Sequence, residues 1–182
     1  ENRLWQQGTP LKIGFIGNVS RVKGVDILVK AFVKTKLDAT LTIAGMASDK
    51  PFLEELNSYK EKNSRINIVG FMNSQEFYQQ VDVVVIPSVW PDTFPTVAFE
   101  ACANNVPVLC SRIGGLPEIV KQDVNGKLFT PGNVGELSEI LNSLTPSILN
   151  RWKDNARESV QEMTNPQAMF DKLETIIKET MV

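Results

Sequence analysis

The stretch VDVVVIPSVWPDTFPTVAFEACANNVPVLCS, residues 81–111, decides the fold. It opens on VDVVVIPS, an apolar run rich in β-branched side chains. Such a run reads as a strand buried on both faces. It closes on VPVLCS, a second run of the same kind. Between them PTVAFEACANN is helical, with Pro95 suited to the first helical position. Strand, helix, strand in this order is a crossover unit with its two strands parallel. The same unit recurs on either side. Upstream, LKIGFI, TLTIAG and INIVG are strands, and KGVDILVKAFVKT, PFLEELNSYKEK and SQEFYQQV are helices. In the first of these helices Val25, Leu28, Val29 and Phe32 share one face. Ser74 is the expected N-cap of the third. Downstream come the short helix LPEIVKQ, the strand GKLFT and the helix VGELSEILNSL. Two further helices, 146–162 and 166–180, close the chain around Asn165-Pro166. The fold class is therefore α/β, a doubly wound, Rossmann-like parallel sheet with C-terminal helices, forming one domain over residues 1–182.

In such sheets ligands bind beyond the carboxyl ends of the strands, so the loops there carry the chemistry. GNVSRVKG (17–24) sets Asn18, Arg21 and Lys23 before a helix start. Backbone amides and two cations suit an anion, and a solvated basic turn is the other reading. AGMASDKP (44–51) reads as plain connection. In VGFMNSQE (69–76), Gly70-Phe71 either borders a flat base or packs Phe71 into the core. In SRIGGLPEIV (111–120), the adjacent glycines allow positive φ or a close backbone approach, and Glu118 suits a helix N-terminus. The central loop poses the sharpest question. Asp92 and Glu100 flank the turn Phe94-Pro95-Thr96, and Glu100 sits within the apolar run VAFEACA. A carboxylate in apolar surroundings needs a donor. A ligand with hydroxyls supplies one; bracing loop amides or facing solvent are the alternatives. The amides of Thr96 and Val97 lie at the helix start, where Pro95 has none to offer.

Composition removes several function classes. The net charge of −2 argues against nucleic acid as the main partner. No apolar run approaches the length of a transmembrane segment. Histidine is absent, so no imidazole base, nucleophile or metal ligand exists in this chain. Two cysteines, Cys102 and Cys110, are too few for a disulfide scaffold or a zinc site. Both sit in apolar runs, read as inert core thiols of a reducing compartment. No signal peptide is recognised, and the start at Glu1 rather than Met reads as a piece cut from a longer protein. A nicotinamide site lacks its glycine fingerprint, and no Walker loop is present.

Taken in order, these motifs carry a resemblance. PSVWPDTFPTVAFEACANNVPVLCSRIGGLPEIVKQDVNGKLFTPGNVGEL (87–137), with FIGNVSRVKGVDILVKAF (15–32) and INIVGFMNSQEFYQQVDVVVIPS (66–88), resembles the C-terminal half of the group 1, or family 4, glycosyltransferases. Those are retaining enzymes of the GT-B fold. The likeness runs over nearly the whole chain and loosens in the last forty residues. It rests on Pro-Ser, acid-x7-Glu, Glu-Ala, Pro-Val, Gly-Gly-x-Pro-Glu, Asn-Gly and Pro-Gly in the family's order.

The resemblance implies roles. Lys23 looks like the lysine that holds the donor diphosphate, with Arg21 beside it. Glu100 looks like the second acid of the E-x7-E motif, accepting from ribose hydroxyls. Asp92 stands where the first acid meets the transferred sugar. Phe94, Pro95, Thr96 and Val97 line the backbone cradle, and Gly70-Phe71 resembles the turn beside the nucleobase. It further implies retaining, hexosyltransferase-type transfer from a nucleoside diphosphate sugar, a UDP-sugar first, in polysaccharide or glycolipid biosynthesis. No metal and no cofactor are expected. The partners implied are the nucleotide sugar and an N-terminal acceptor-binding domain that this chain lacks, so the isolated piece is expected to be inactive. The location implied is the cytoplasm, with the full-length protein peripheral at the inner membrane face. Four departures stand out: Asn18 where the family often has Arg, Asp92 for the usual Glu, Pro95 where Gly is frequent, and no glycine-rich turn at 45–49. The Asp-x-x-Pro variant reads as a different donor grip. The Asn18 and Asp92 departures are the best support for the alternative of a non-catalytic nucleotide-sugar or assembly module, and half of a GT-B-like epimerase or phosphorylase is a third reading.

Overall fold

A computed structural model describes residues 4–161 together with Glu174 and Lys178. Six strands form one sheet: β1 (Leu11–Ile16), β2 (Ala39–Ala44), β3 (Ile66–Gly70), β4 (Val83–Ile86), β5 (Val108–Ser111) and β6 (Gly126–Phe129). Their spatial order is β3-β2-β1-β4-β5-β6, and every pairing is parallel. The chain runs outward from β1 in one direction, then returns to place β4 against β1's other edge. The β1–β4 boundary is thus the topological switch point.

Helices cover both faces. α1 (Val25–Lys34), α2 (Lys50–Lys62), α6 (Val134–Ser143) and α7 (Pro146–Ala156) pack on one. α3 (Ser74–Gln80), α4 (Thr96–Ala103), α5 (Leu116–Ile119) and α8 (Glu158–Gln161) pack on the other. Strand alternation divides the core accordingly. Val83 and Val85 of β4 join the first cluster, Val84 and Ile86 the second. This is why VVVI is apolar at every position. Each large side chain buried in these layers, such as Phe32, Phe52 or Phe77, contributes roughly 1.5–3 kcal/mol. Gly14 lets α3 lie close on β1, since a Cβ there would stand 2.5 Å from the Phe77 ring.

Three local expectations change. Asn73, not Ser74, caps α3, because its Oδ1 accepts from the amides of Gln75 and Glu76. Pro95 is the N-cap of α4, one residue before the first helical position. The expected helix 146–162 divides at Arg157 into α7 and α8. The expected helix 166–180 lies outside the described residues apart from Glu174 and Lys178.

Candidate functional site

Three close backbone approaches build the crevice at the switch point. Gly24, at φ 70°, opens α1 directly against β4's exit: a Cβ there would stand 1.9 Å from Pro87 O. The amide of Val89 donates to Val22 O at 3.0 Å, tying the same two loops again. Gly114, at φ 56°, lies under Asp92, whose backbone nitrogen and oxygen would be 2.7 and 2.5 Å from a Cβ. Gly115 N then donates to Asp92 O at 2.8 Å. Both readings of the adjacent glycines therefore hold, positive φ and close approach.

The loops enclose a cavity of about 210 Å³. Its floor is apolar, from Phe15, Ile16, Ile86 and Leu116, and its rim carries Gly17, Asn18, Lys23, Ser88, Asp92, Pro95, Thr96 and Val97. Lys23 Nζ and Asp92 Oδ2 pair at 3.1 Å across it, both partly exposed. In the sequence Ser88 reads only as part of Pro-Ser, without a place in the site. Its signal was there: a small polar residue just past an apolar strand, in a loop at the sheet's carboxyl edge.

Among α1 to α7, the helix starts around this cavity differ from the rest. α2, α3, α6 and α7 begin under side-chain caps from Asp49, Asn73, Asn133 and Thr145. α1, α4 and α5 begin at Gly24, Pro95 and Gly115, none of which supplies a side-chain cap. First-turn amides without an internal partner carry partial positive charge and attract anions. The uncapped starts are those of the helices that follow the crevice loops, and beside them stands Lys23. The arrangement is fitted to bind negative charge.

The remaining candidates lie off the cavity wall. Arg21 turns away: its guanidinium donates to Glu55 at 2.6 Å and lies over the Phe52 ring, 4.6 Å from its centroid. The bond to Glu55 raises its already high pKa. Glu100, one turn beyond Thr96 on α4, accepts from the Tyr78 hydroxyl at 3.1 Å. Phe71, after Gly70 at φ 70°, is 82% exposed, so its core reading fails. Phe94 is half exposed and meets Phe99 at 6.2 Å. The structure thus gathers Asn18, Lys23, Asp92, Pro95, Thr96 and Val97 around one cavity. Glu100, Gly70, Phe71 and Phe94 stand outside its lining, and Arg21 points elsewhere. Cys102 and Cys110 are buried free thiols. Among the described residues no group of three or more Asp, Glu or Cys is placed to hold a metal ion. Nor is any described helix long and apolar enough to cross a membrane.

Comparison with known proteins decides the family. The model of "Glycosyl transferases group 1" matches residues 3–159. The chain belongs to the group 1 glycosyltransferases. An uncharacterized glycosyltransferase of Methanocaldococcus jannaschii is 38% identical over 124 residues, which is 65% of this chain and 32% of that protein. A crystal structure of Anabaena HepE in complex with UDP superposes with a TM-score of 0.83 at 25% identity, covering 93% of this chain and 49% of the other. A C-terminal domain of a group 1 family glycosyl transferase from Francisella tularensis superposes at 0.74, with 27% identity, covering 83% of this chain and 84% of that domain. This glycosyltransferase chain spans about half, or less, of the curated relatives it matches. Its sheet is that of the GT-B glycosyltransferases, and its size is that of their C-terminal domain.

Proposed function

We propose that this chain is the donor-binding half of a retaining glycosyltransferase and takes a UDP-sugar. The observation that carries the reading is the Lys23–Asp92 pair, set between uncapped helix starts over an apolar floor. That Anabaena HepE has been solved with UDP and with UDP-glucose supports the choice of nucleotide.

Lys23 and the first amides of α1 and α4 receive the diphosphate. Negative charge grows on it as the anomeric carbon–oxygen bond to phosphate breaks and a bond to an acceptor hydroxyl forms. Fixed donors aimed at that charge lower the barrier, and no metal is required for it. Asp92 accepts from hydroxyls of the transferred sugar, and Glu100 from the ribose. Asn18 and Ser88 complete the rim. Phe71, exposed beside Gly70, offers a face to the base. The acceptor binds an N-terminal domain beyond this chain, so the isolated domain binds donor and does not turn over. In the full-length protein the work is done in the cytoplasm, at the inner membrane face.

Calorimetric titration with UDP, GDP and ADP tests this. UDP binds, and Glu100→Gln weakens it by about 1–3 kcal/mol, the scale of a lost hydrogen bond to a charged group. Absence of binding by every nucleotide to the folded chain at millimolar concentration overturns the donor assignment.

A further inference from the structure

Glu100 is held by a buried partner on another helix. Tyr78, on α3, donates its hydroxyl to Glu100 Oε2 at 3.1 Å and also reaches Val97 O at 3.4 Å. Its side chain has no room to swing: Tyr78 is 4% exposed, and its ring meets Phe77 edge-on at 5.5 Å. Burial, then the charge of Glu100, push the Tyr78 phenol far above its ordinary value. The hydroxyl is therefore a protonated donor at neutral pH. One carboxylate oxygen is taken in this way. The other, Oε1, receives no hydrogen bond among the described residues. A carboxylate turned by a rigid donor on one side presents its second oxygen in a single direction.

We propose that Tyr78 is a positioning residue that fixes Glu100 so that Oε1 meets the ribose hydroxyls of the donor nucleotide. The inference rests on the donor reading above and extends it: Tyr78, through Glu100, makes the site select ribose over deoxyribose. A plain brace between α3 and α4 would account for the same contact without any effect on sugar choice, and the two differ measurably.

The test is titration of UDP and 2′,3′-dideoxy-UDP into the wild-type chain, Tyr78→Phe, Glu100→Gln and the double variant. The Phe ring preserves the packing and removes the hydroxyl alone. Tyr78→Phe is expected to lose about five- to tenfold in UDP affinity, less than the worth of a whole hydrogen bond to a charged group, because Glu100 stays and loses only its orientation. Its affinity for the dideoxy nucleotide stays unchanged. In the double variant the Tyr78 effect shrinks, since the amide oxygen left at position 100 is the weaker, uncharged acceptor. Unchanged UDP affinity in Tyr78→Phe overturns the inference and leaves the donor reading standing. An equal loss for both nucleotides also overturns it, because the hydroxyl then supports the fold of the site rather than ribose contact. Failure of the wild-type chain to bind UDP removes the donor reading and the inference together. If Tyr78→Phe does not fold, the hydroxyl serves the fold itself and the inference is overturned, whatever Glu100→Gln shows.

Discussion

Lys23 and Asp92, 69 positions apart in sequence, face each other at 3.1 Å across the switch point. Each arrives on a loop that leaves a different strand, β1 and β4, and only the pairing of those strands makes them neighbours. An anion entering the crevice meets Lys23 already engaged with a carboxylate. Phosphate and Asp92 therefore compete for one ammonium group.

Two substitutions separate the roles of this pair. Lys23→Ala is expected to weaken UDP binding about tenfold or more, the worth of a charge-assisted contact. Asp92→Asn frees Lys23 and removes a like charge near the phosphates. UDP then binds at least as tightly as to the wild type, while any preference for UDP-glucose over UDP falls. Both side chains are partly exposed, so neither change alters stability by more than about 1 kcal/mol. Calorimetry with both nucleotides, beside thermal melts, reads all of these outcomes.

Three glycines at positive φ should fall into two grades. Gly24→Ala places a Cβ 1.9 Å from the Pro87 carbonyl oxygen, and Gly114→Ala one 2.5 Å from that of Asp92. Both neighbours are backbone and cannot swing aside, so each change is expected to cost about 2–4 kcal/mol and to disturb donor binding. Gly70→Ala shares the positive φ but meets nothing within 4 Å. It should cost only the left-handed strain, roughly 1–2 kcal/mol. Urea titration of the three variants orders them.

The buried thiols predict a pH dependence. Burial raises Cys102 from an ordinary value of 9.0 to about 12, and Cys110 higher still. Above pH 9 the unfolded chain releases these protons while the folded chain keeps them. The unfolded state then binds fewer protons, so stability falls as pH rises from 9 toward 12. The contribution is fully present below pH 9. Replacing both cysteines by Ala should flatten the alkaline limb. Alkylation at pH 8 is expected to spare both thiols in the folded chain and to reach both in urea, which mass spectrometry reads directly.

Asn125 is expected to be among the costlier polar positions to truncate. Fully buried, it accepts from Lys121 N at 2.7 Å and donates to Ile119 O and Ser159 Oγ at 2.9 and 2.6 Å. Asn125→Ala strands these partners and should destabilise the domain by about 2–4 kcal/mol, measured by urea titration. Because the network ties α5's end to α8 and not to the crevice, UDP affinity in the folded fraction should hold.

Much of this architecture was legible in the amino-acid order because its signals are local. Apolar runs such as VDVVVIPS mark strands buried on both faces, and alternation with helical segments makes the sheet parallel. The loops after those strands were likewise identifiable, since glycines and helix starts cluster there. That put these loops at one edge of the sheet, and the family resemblance joined Asn18, Arg21, Lys23, Gly70, Phe71, Asp92, Phe94, Pro95, Thr96, Val97 and Glu100 into one expected site. Local signals do not state which strands become neighbours, nor where a long side chain turns. Strand order is decided by how the crossovers pack, and it put β1 beside β4. Arg21 looked like a second phosphate ligand, yet Glu55 and the Phe52 ring on α2 capture it. Glu100 looked like a carboxylate awaiting a ligand, and Tyr78 from α3 already holds one of its oxygens. The sequence by itself determined the elements and the edge of the sheet where chemistry sits, because periodicity and turn chemistry act over a few residues. Only the tertiary structure decided the partners of each charge, because a charge pairs with whatever the packed helices bring within about 3 Å of it.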